Sequence, residues 1–255
     1  MLAFLRRRAP AAARIAASVP PGVRVYAVGD VHGRLDCLML MEAMIADDIA
    51  ARPVANPVVI HLGDYIDRGP DSHGVIETLS MAATPARHHL LGNHERFLLD
   101  ALDNPARLEG WSAVGGLAAL RSYGVDPGPL LRGRDPGPVA DALREAMPPH
   151  HLAFLRRLDL MLVVGDYCFV HAGLRPGVAL ERQEADDVIW LRDEFLNHRG
   201  SFGHVVVHGH TAVPEAEIHP NRINLDSGAY ASGRLSAAVL EGATVRIMVA
   251  QPASR

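Results

Sequence analysis

The sequence has 255 residues, 49% of them hydrophobic, with 23 glycines and 18 prolines. This composition predicts a globular protein with a sizeable core and the length of a single α/β domain. Its apolar runs are all shorter than the ~20 residues of a membrane-spanning helix, so we expect no stable membrane insertion. The net charge is −4, and residues 1–24 hold five arginines and no acid, which leaves −9 on the rest of the chain. That acidic body argues against nucleic acid as a partner.

Strands and helices alternate through the first third of the chain. Apolar runs of about six residues read as buried strands, and longer amphipathic stretches read as helices. The predicted strands are 23–28, 57–62 and 87–91, and the predicted helices are 35–51, 70–83 and one that starts after 92–95. This strand–loop–helix repetition predicts a parallel sheet with helices on its faces.

The middle and last parts of the chain have a different pattern. Residues 96–158 are helical and loop-rich, and we interpret them as a helical cap insert within a single domain. The last third is rich in β-strand signals, from which we expect a second, mostly antiparallel sheet. Its predicted strands are 160–164, 167–171, 204–208, 222–225, 235–240 and 244–249, with a helix at 185–196.

The charge pattern of the N-terminal segment and the number of cysteines suggest the domain boundaries and the location. We predict a basic extension at 1–22 and one domain at 23–250. The positive charge at residues 6–8 follows the short N-terminal apolar patch, and Arg14 interrupts the alanine-rich stretch, so the long apolar region that follows the charge in a signal peptide is missing. Cys37 and Cys168 lie in apolar stretches and are too few for a disulfide framework, which favours buried thiols and a cytoplasmic protein.

The segment Gly63-Asp64-Tyr65-Ile66-Asp67-Arg68-Gly69 carries the most chemical information. It follows a predicted strand and places two carboxylates and a guanidinium on one short loop. Hard divalent cations prefer carboxylate oxygens, and a phosphate group is well matched by the fork of an arginine. The loop therefore suggests metal-assisted chemistry on a phosphate.

Similar side chains follow the other predicted strands. Sites in open parallel sheets form beyond the C-terminal ends of the strands, so five such loops would meet at one crevice. Any one of these short strings could be a structural turn, but five in order are hard to explain that way. Mixed nitrogen and oxygen ligands suit Mn, Fe or Zn better than Ca. The residues are Asp30, His32, Asp64, Asp67, Asn93, His94, His171, His208 and His210.

These motifs resemble those of the PPP-type serine/threonine protein phosphatases, within the calcineurin-like metallophosphoesterase superfamily, in their compact bacterial and phage form. The resemblance spans about residues 25–230 and implies an α/β/β/α sandwich of two mixed sheets with a helical cap insert. The matching strings are Gly29-Asp30-Val31-His32-Gly33, the 63–69 loop, Gly92-Asn93-His94-Glu95, His171-Ala172-Gly173, Gly209-His210-Thr211 and Asn224-Leu225-Asp226-Ser227-Gly228-Ala229.

The resemblance also implies a site with two divalent metal ions, Mn being the first choice and Fe or Zn the alternatives. Asp30 and His32 would bind the first metal. Asp64 would bridge both metals. The second metal would be completed by Asn93, His171 and His210. By the alignment of the Gly-His-Thr string, His208 would not be a ligand.

The remaining roles implied by the resemblance concern the phosphate. Arg68, Arg192 and Asn93 would bind the phosphoryl oxygens. His94 would be the general acid, and Asp67 would orient the His94 ring. Hydrolysis would proceed by direct attack of a hydroxide held between the metals, without a phosphoenzyme.

The sequence leaves the substrate open. We expect a phosphatase acting on phosphoserine or phosphothreonine, with phosphotyrosine as a further substrate. The alternative is a symmetrical dinucleoside-tetraphosphate hydrolase or another small-molecule phosphoesterase. Asp67 and Glu95 favour the first reading, because the resemblance suggests that the dinucleotide hydrolases often lack the first and carry Asp at the second. A non-catalytic metal-binding module would be expected to lack a ligand or His94, and none is missing. The sequence does not indicate an oligomeric state.

Overall fold

Two β-sheets lie face to face at the centre of the computed structural model, which describes residues 13–14, 17–81 and 84–253. The strands are β1 (Ala13–Arg14), β2 (Val23–Val28), β3 (Asn56–His61), β4 (Ala86–His89), β5 (Met161–Val164), β6 (Tyr167–Val170), β7 (Val205–His208), β8 (Glu217–Ile218), β9 (Arg222–Asn224), β10 (Leu235–Glu241) and β11 (Thr244–Ala250). The helices are α1 (Leu35–Ala51), α2 (Ser72–Met81), α3 (Asn93–Asp103), α4 (Leu108–Trp111), α5 (Leu117–Ser122), α6 (Gly128–Leu131), α7 (Gly137–Ala146), α8 (Pro149–Leu155), α9 (Ala185–Trp190), α10 (Asp193–Leu196) and α11 (Ala229–Ser232).

Each sheet contains three adjacent parallel strands and further antiparallel strands. The first sheet has the order β1-β11-β10-β2-β3-β4, in which β2, β3 and β4 are parallel. The second has the order β5-β6-β7-β9-β8, in which β6, β7 and β9 are parallel. The expectation of a mostly antiparallel second sheet is therefore wrong, because β10 pairs with β2, β11 pairs with β10, and both strands join the first sheet instead.

The alternation of side chains along β2 separates two apolar layers. Val25 and Ala27 face the second sheet and pack with residues such as Phe169 and Val207. Tyr26 and Val28 point the other way, toward the helices on the outer face. This period of two is what buries both faces of a central strand. A third cluster, between the second sheet and α9–α10, completes the α/β/β/α sandwich predicted above.

The helices of 96–158 share the apolar cluster of α1 and α2, so the insert packs onto the outer face of the first sheet. The single helix predicted at 185–196 is wrong. It is divided into α9 and α10 because the chain leaves helical geometry at Leu191 and Arg192, where Arg192 has φ −124° and ψ −95°.

The predicted basic extension falls largely outside the described residues. Of its part that is described, β1 pairs with β11, and Val19 is 3% exposed within the layer between the sheets. The chain before residue 23 thus contributes to the fold, while the boundary at 22 stays a prediction. Across the described ranges, 13–14, 17–81 and 84–253, no helix has the length and apolar character needed to cross a membrane.

Candidate active site

The predicted ligands meet where the parallel strands of both sheets end. The loops after β2, β3 and β4 come from the first sheet, and those after β6 and β7 come from the second. Because all five loops leave the same edge, side chains far apart in sequence converge there. The residues that converge are buried or nearly so: Asp30, His32, Asp64, Asp67, Asn93, His94, His171 and His210.

Asp64 lies between two groups of metal-type ligands. One group consists of His32, Asp64 and His94, and the other of Asp64, His171 and His210. The Oδ2 atom of Asp64 is 3.5 Å from Nε2 of His32, and its Oδ1 atom is 3.3 Å from Nε2 of His171. One carboxylate thus directs its two oxygens to two different sites, which is the arrangement expected of a bridging ligand.

Asn93 and Asp30 complete the donor set. Oδ1 of Asn93 lies 3.0 Å from Nε2 of His171 and 2.8 Å from Nδ1 of His210. Asp30 accepts a hydrogen bond from the backbone N–H of His210, 3.0 Å from Oδ2. Burial and the neighbouring Asp226 carboxylate raise the pKa of Asp30 well above its ordinary value. A bound cation would offset this cost of burying the carboxylates in their charged form.

The imidazole rings are held as metal ligands usually are. Nδ1 of His32 is hydrogen bonded to the Ile66 carbonyl (2.8 Å), and Nδ1 of His171 to the Leu62 carbonyl (2.9 Å). In each case the backbone fixes one nitrogen and leaves Nε2 free to face the site. Burial lowers the pKa of His32 to about 3 and that of His210 to about 2, so both rings are in the neutral form that binds metal. Nε2 of His210 is buried without a hydrogen-bond partner. These donors fit two divalent ions.

Backbone strain is concentrated at the same residues. Among the described residues, the non-glycine positions with positive φ are all predicted site residues, with φ between 46° and 73°. A positive φ costs about 1–3 kcal/mol at a non-glycine residue and persists where the surroundings enforce it. Strain of this kind is typical of functional loops. The five residues are His32, Asp64, Asp67, Arg68 and His210.

His94 is held by a buried carboxylate. Its Nδ1–H donates to Oδ2 of Asp67 over 2.6 Å, and the indole N–H of Trp111 donates to the same oxygen over 2.7 Å. Burial lowers the pKa of His94, but Asp64 and the hydrogen bond to Asp67 raise it more, so the net pKa lies above the ordinary value. The ring is thus favoured in its charged form while Nε2 faces the site.

Two arginines border the site. Arg68 has its guanidinium nitrogens 2.9 Å from Nε2 of His32 and 3.0 Å from Nε2 of His94, and it lies 4.9 Å from the ring centroid of Tyr230. Arg192 is exposed, and its charge contributes to the lowered pKa of His210. Within the described part of the chain Arg192 has no acidic partner, so its guanidinium is available to an anion.

Two glycines keep Asp64 and Arg68 in place. Gly63 has φ +101°, and a Cβ there would lie 2.7 Å from the backbone nitrogen of Gly92 and 2.9 Å from Nδ1 of His171. Gly115, in the insert, has φ +130° and accepts the backbone N–H of Arg68 over 3.2 Å. The insert therefore contacts the 63–69 loop directly, at a position whose backbone conformation only glycine adopts readily.

Glu95 has a role that the sequence alone did not reveal. Its carboxylate accepts the backbone N–H groups of Asp64 (2.9 Å), Tyr65 (2.8 Å) and Gly92 (3.0 Å). It therefore ties the loop after β3 to the loop after β4. Its sequence signals are its place in the Gly92-Asn93-His94-Glu95 string and its position three residues after Gly92, from which its carboxylate accepts the backbone N–H of the residue that precedes α3.

His208 points away from the site. Its ring packs edge-on against Phe195, with centroids 4.9 Å apart, and its Nδ1 is bonded to the carbonyl of Gly209. The structure thus brings every predicted ligand together and leaves His208 outside the group. The roles of these residues stay predictions, since position alone does not establish them.

Comparison with known proteins agrees with this geometry. Residues 23–234 match the calcineurin-like phosphoesterase family. Serine/threonine-protein phosphatase 2 of Salmonella typhimurium is 27% identical over 226 residues, which cover 83% of this chain and 90% of that protein. The symmetrical bis(5'-nucleosyl)-tetraphosphatase of Dechloromonas aromatica is 28% identical over 155 residues, 59% of this chain and 44% of that protein.

A similar solved structure, described as a candidate diadenosine tetraphosphatase, covers 94% of this chain with a TM-score of 0.62 and 24% identity. At that identity the likeness concerns the fold alone. The family match covers most of the chain and includes all five loops described above. The chain therefore belongs to the calcineurin-like phosphoesterase family.

Proposed function

We propose that this protein is a metal-dependent phosphatase that hydrolyses phosphoserine and phosphothreonine in proteins, with phosphotyrosine as a further substrate. The observation that carries the proposal is the buried pair formed by His94 and Asp67, 2.6 Å apart. A general acid is most needed where the leaving group is a poor one. The alkoxide of serine or threonine is such a group, whereas a nucleoside diphosphate leaves as a stable anion.

The other residues act on the phosphoryl group. Asp30, His32, Asp64, Asn93, His171 and His210 would hold two divalent ions, Mn by preference with Fe or Zn as alternatives, which supply Lewis-acid catalysis and an activated water when bound. Arg68 and Arg192 would bind the phosphoryl oxygens, and Asn93 would help to position them. His94 donates its Nε2 proton to the leaving oxygen, and Asp67 holds the ring charged and oriented.

Two exposed aromatic side chains lie beside this group. Tyr230 is 41% exposed and lies over Arg68, while Trp190 is 37% exposed and packs on Phe97. Beside Tyr230 an open groove of about 690 Å³ continues past Pro70 and Met39. This space supports a substrate that extends beyond a single phosphate, such as a peptide chain.

The second candidate is the symmetrical hydrolysis of dinucleoside tetraphosphates. A relative with that activity in its name matches 59% of this chain, and the exposed ring of Tyr230 offers a surface on which a base could stack. The match to the serine/threonine phosphatase is longer, at 83% of the chain. We therefore place protein phosphatase first.

The proposed location is the cytoplasm. Cys37 and Cys168 are both free and buried, and burial raises the pKa of the Cys168 thiol to about 12. Neither thiol takes part in a disulfide among the described residues, as suits a reducing compartment.

A side-by-side assay tests the function. The full chain is loaded with Mn and given a phosphoserine peptide, a phosphotyrosine peptide, 4-nitrophenyl phosphate and diadenosine tetraphosphate. We expect kcat/KM for the phosphoserine peptide to exceed that for the dinucleotide by at least ~10-fold, a difference of about 1.4 kcal/mol in transition-state binding. A dinucleotide that is cleaved to two nucleoside diphosphates with the higher kcat/KM would refute the proposal.

A further inference from the structure

A second cluster of metal-type ligands lies outside the active site, between α2 and α8. Nε2 of His150 is 2.8 Å from Oε2 of Glu77, and Nε2 of His151 is 2.7 Å from the same oxygen. The three donor atoms lie within 4.8 Å of one another. Two imidazoles thus direct the same ring nitrogen at one carboxylate oxygen.

The fold supplies these donors from two rigid elements. Glu77 is on α2, and His150 and His151 begin α8, which packs on α2. His73 is one turn before Glu77, at the i, i+4 spacing that places both on one face of α2. Its ring centroid is 5.0 Å from that of His151, so a third imidazole lies beside the cluster. Within the described residues the His73 side chain has no hydrogen bond.

His151 is prepared for ligation by its surroundings. Its side chain is fully buried, and its Nδ1 is 2.9 Å from the hydroxyl of Tyr123. This second contact orients the ring and directs Nε2 outward to Glu77, as the outer partners of metal-bound histidines do. Glu77 and His150 are each 46% exposed, so an ion can enter from solvent.

We propose that Glu77, His150 and His151 form a peripheral site for a single zinc-type divalent ion, with His73 or water as the fourth ligand, that fastens the cap insert to α2. Zinc favours four-coordinate sites of imidazole nitrogen and carboxylate oxygen. The ion would bind to the helix that also contacts the 63–69 loop, because the hydroxyl of Ser72 at the start of α2 accepts the backbone N–H of Asp67 over 2.9 Å. The site is independent of the proposed substrate.

The test is the number of zinc ions bound by the full chain, measured by equilibrium dialysis against zinc alone and metal analysis. Glu77→Gln and His150→Asn should each bind one equivalent less than the unmodified protein, and zinc should raise their Tm less. Asp64→Asn, which alters the carboxylate shared by the active-site groups, should keep the peripheral equivalent. If one of the two peripheral variants folds poorly, the other still tests the site.

Glu217→Gln is the matched control. Glu217 pairs with His219 on the surface, 2.9 Å between Oε2 and Nε2, but with one imidazole instead of two. This control should bind as many zinc ions as the unmodified protein. If Glu77→Gln and His150→Asn also bind that number, the cluster is only a hydrogen-bonded contact and the proposal fails. A loss of equal size in the control would mean unspecific surface binding and would overturn it as well.

Discussion

Replacing Asp67 with asparagine removes the charge that holds His94 in its acidic form while nearly preserving the shape of the side chain. In the native protein, Oδ2 of Asp67 accepts both the Nδ1–H of His94 and the indole N–H of Trp111, and all three groups are buried. The asparagine oxygen can still accept these hydrogen bonds, because an amide oxygen has two lone pairs, but it carries no charge. The expected defect is therefore in proton donation rather than in metal binding.

The expected decrease in kcat can be estimated from the free energy of the charged hydrogen bond between His94 and Asp67. A hydrogen bond to a charged group contributes about 1.5–3 kcal/mol, and 1.4 kcal/mol is a factor of ten in rate. The loss of the charge-assisted character of the bond between His94 and Asp67 should therefore lower kcat by up to ~10- to 100-fold. General acid catalysis as a whole is worth ~10²–10⁴-fold, so the upper part of the first range is expected for a phosphoserine peptide.

The assay compares substrates with different leaving groups. 4-Nitrophenolate leaves with little help from a proton, so Asp67→Asn should reduce its release by less than ~10-fold, while the phosphoserine peptide loses far more. Metal content should be unchanged. Trp111→Phe is the control, because it removes the other hydrogen bond to the same oxygen and keeps the carboxylate charge. Equal losses for both substrates, or a loss of metal, would refute the assignment of Asp67 to His94.

Three further predictions address the predicted metal ligand Asp64, the proposed phosphate contact of Arg192 and the pH dependence of stability. Asp64→Ala should abolish activity and reduce metal content by at least one equivalent, and normal turnover would contradict a shared carboxylate; metal analysis and kinetics measure both. Arg192→Ala should raise KM for phosphopeptides by ~10-fold, about the contribution of one charge-assisted hydrogen bond, and an unchanged KM would remove Arg192 from the site. Burial and the charge of nearby His61 and Arg87 lower the pKa of His89 to about 2 from 6.5. The unfolded chain therefore takes up a proton below pH 6.5 that the folded chain refuses, so this residue lowers stability by up to about 1.4 kcal/mol per pH unit as the pH falls toward 2. Urea unfolding at pH 4.5–7 should show a shallower pH dependence for His89→Gln, and an unchanged slope would contradict the assignment.

Much of the site could be predicted from the sequence because its parts are local. Each predicted metal ligand stands one to four residues after a strand, and a short loop at the end of a buried strand has few possible paths. Asp30 after β2, Asp64 after β3 and His171 after β6 are all of this kind. The parallel arrangement of those strands then brings the loops to one edge, and the predicted sandwich is confirmed by the structure.

Other features depend on contacts between segments that are distant in sequence, and no local pattern announces them. The strands β10 and β11 have the same alternation wherever they pair, and only packing assigns them to the first sheet. Glu95 could be read as a helix cap, but its hydrogen bonds to the loop at Asp64 and Tyr65 exist because β3 and β4 are neighbours.

The same holds for the cluster of Glu77, His150 and His151. Glu77 is 73 residues before His150 in the sequence, and only the packing of α8 on α2 brings them together. Periodicity and motif spacing determine what a segment is and which chemistry its loops carry. They do not determine which distant segments meet, because that choice is made by the burial of apolar surface over the whole chain. For this protein the sequence by itself determined the ligand loops and the fold class, and the tertiary structure decided how His94, Asp64 and the insert are held.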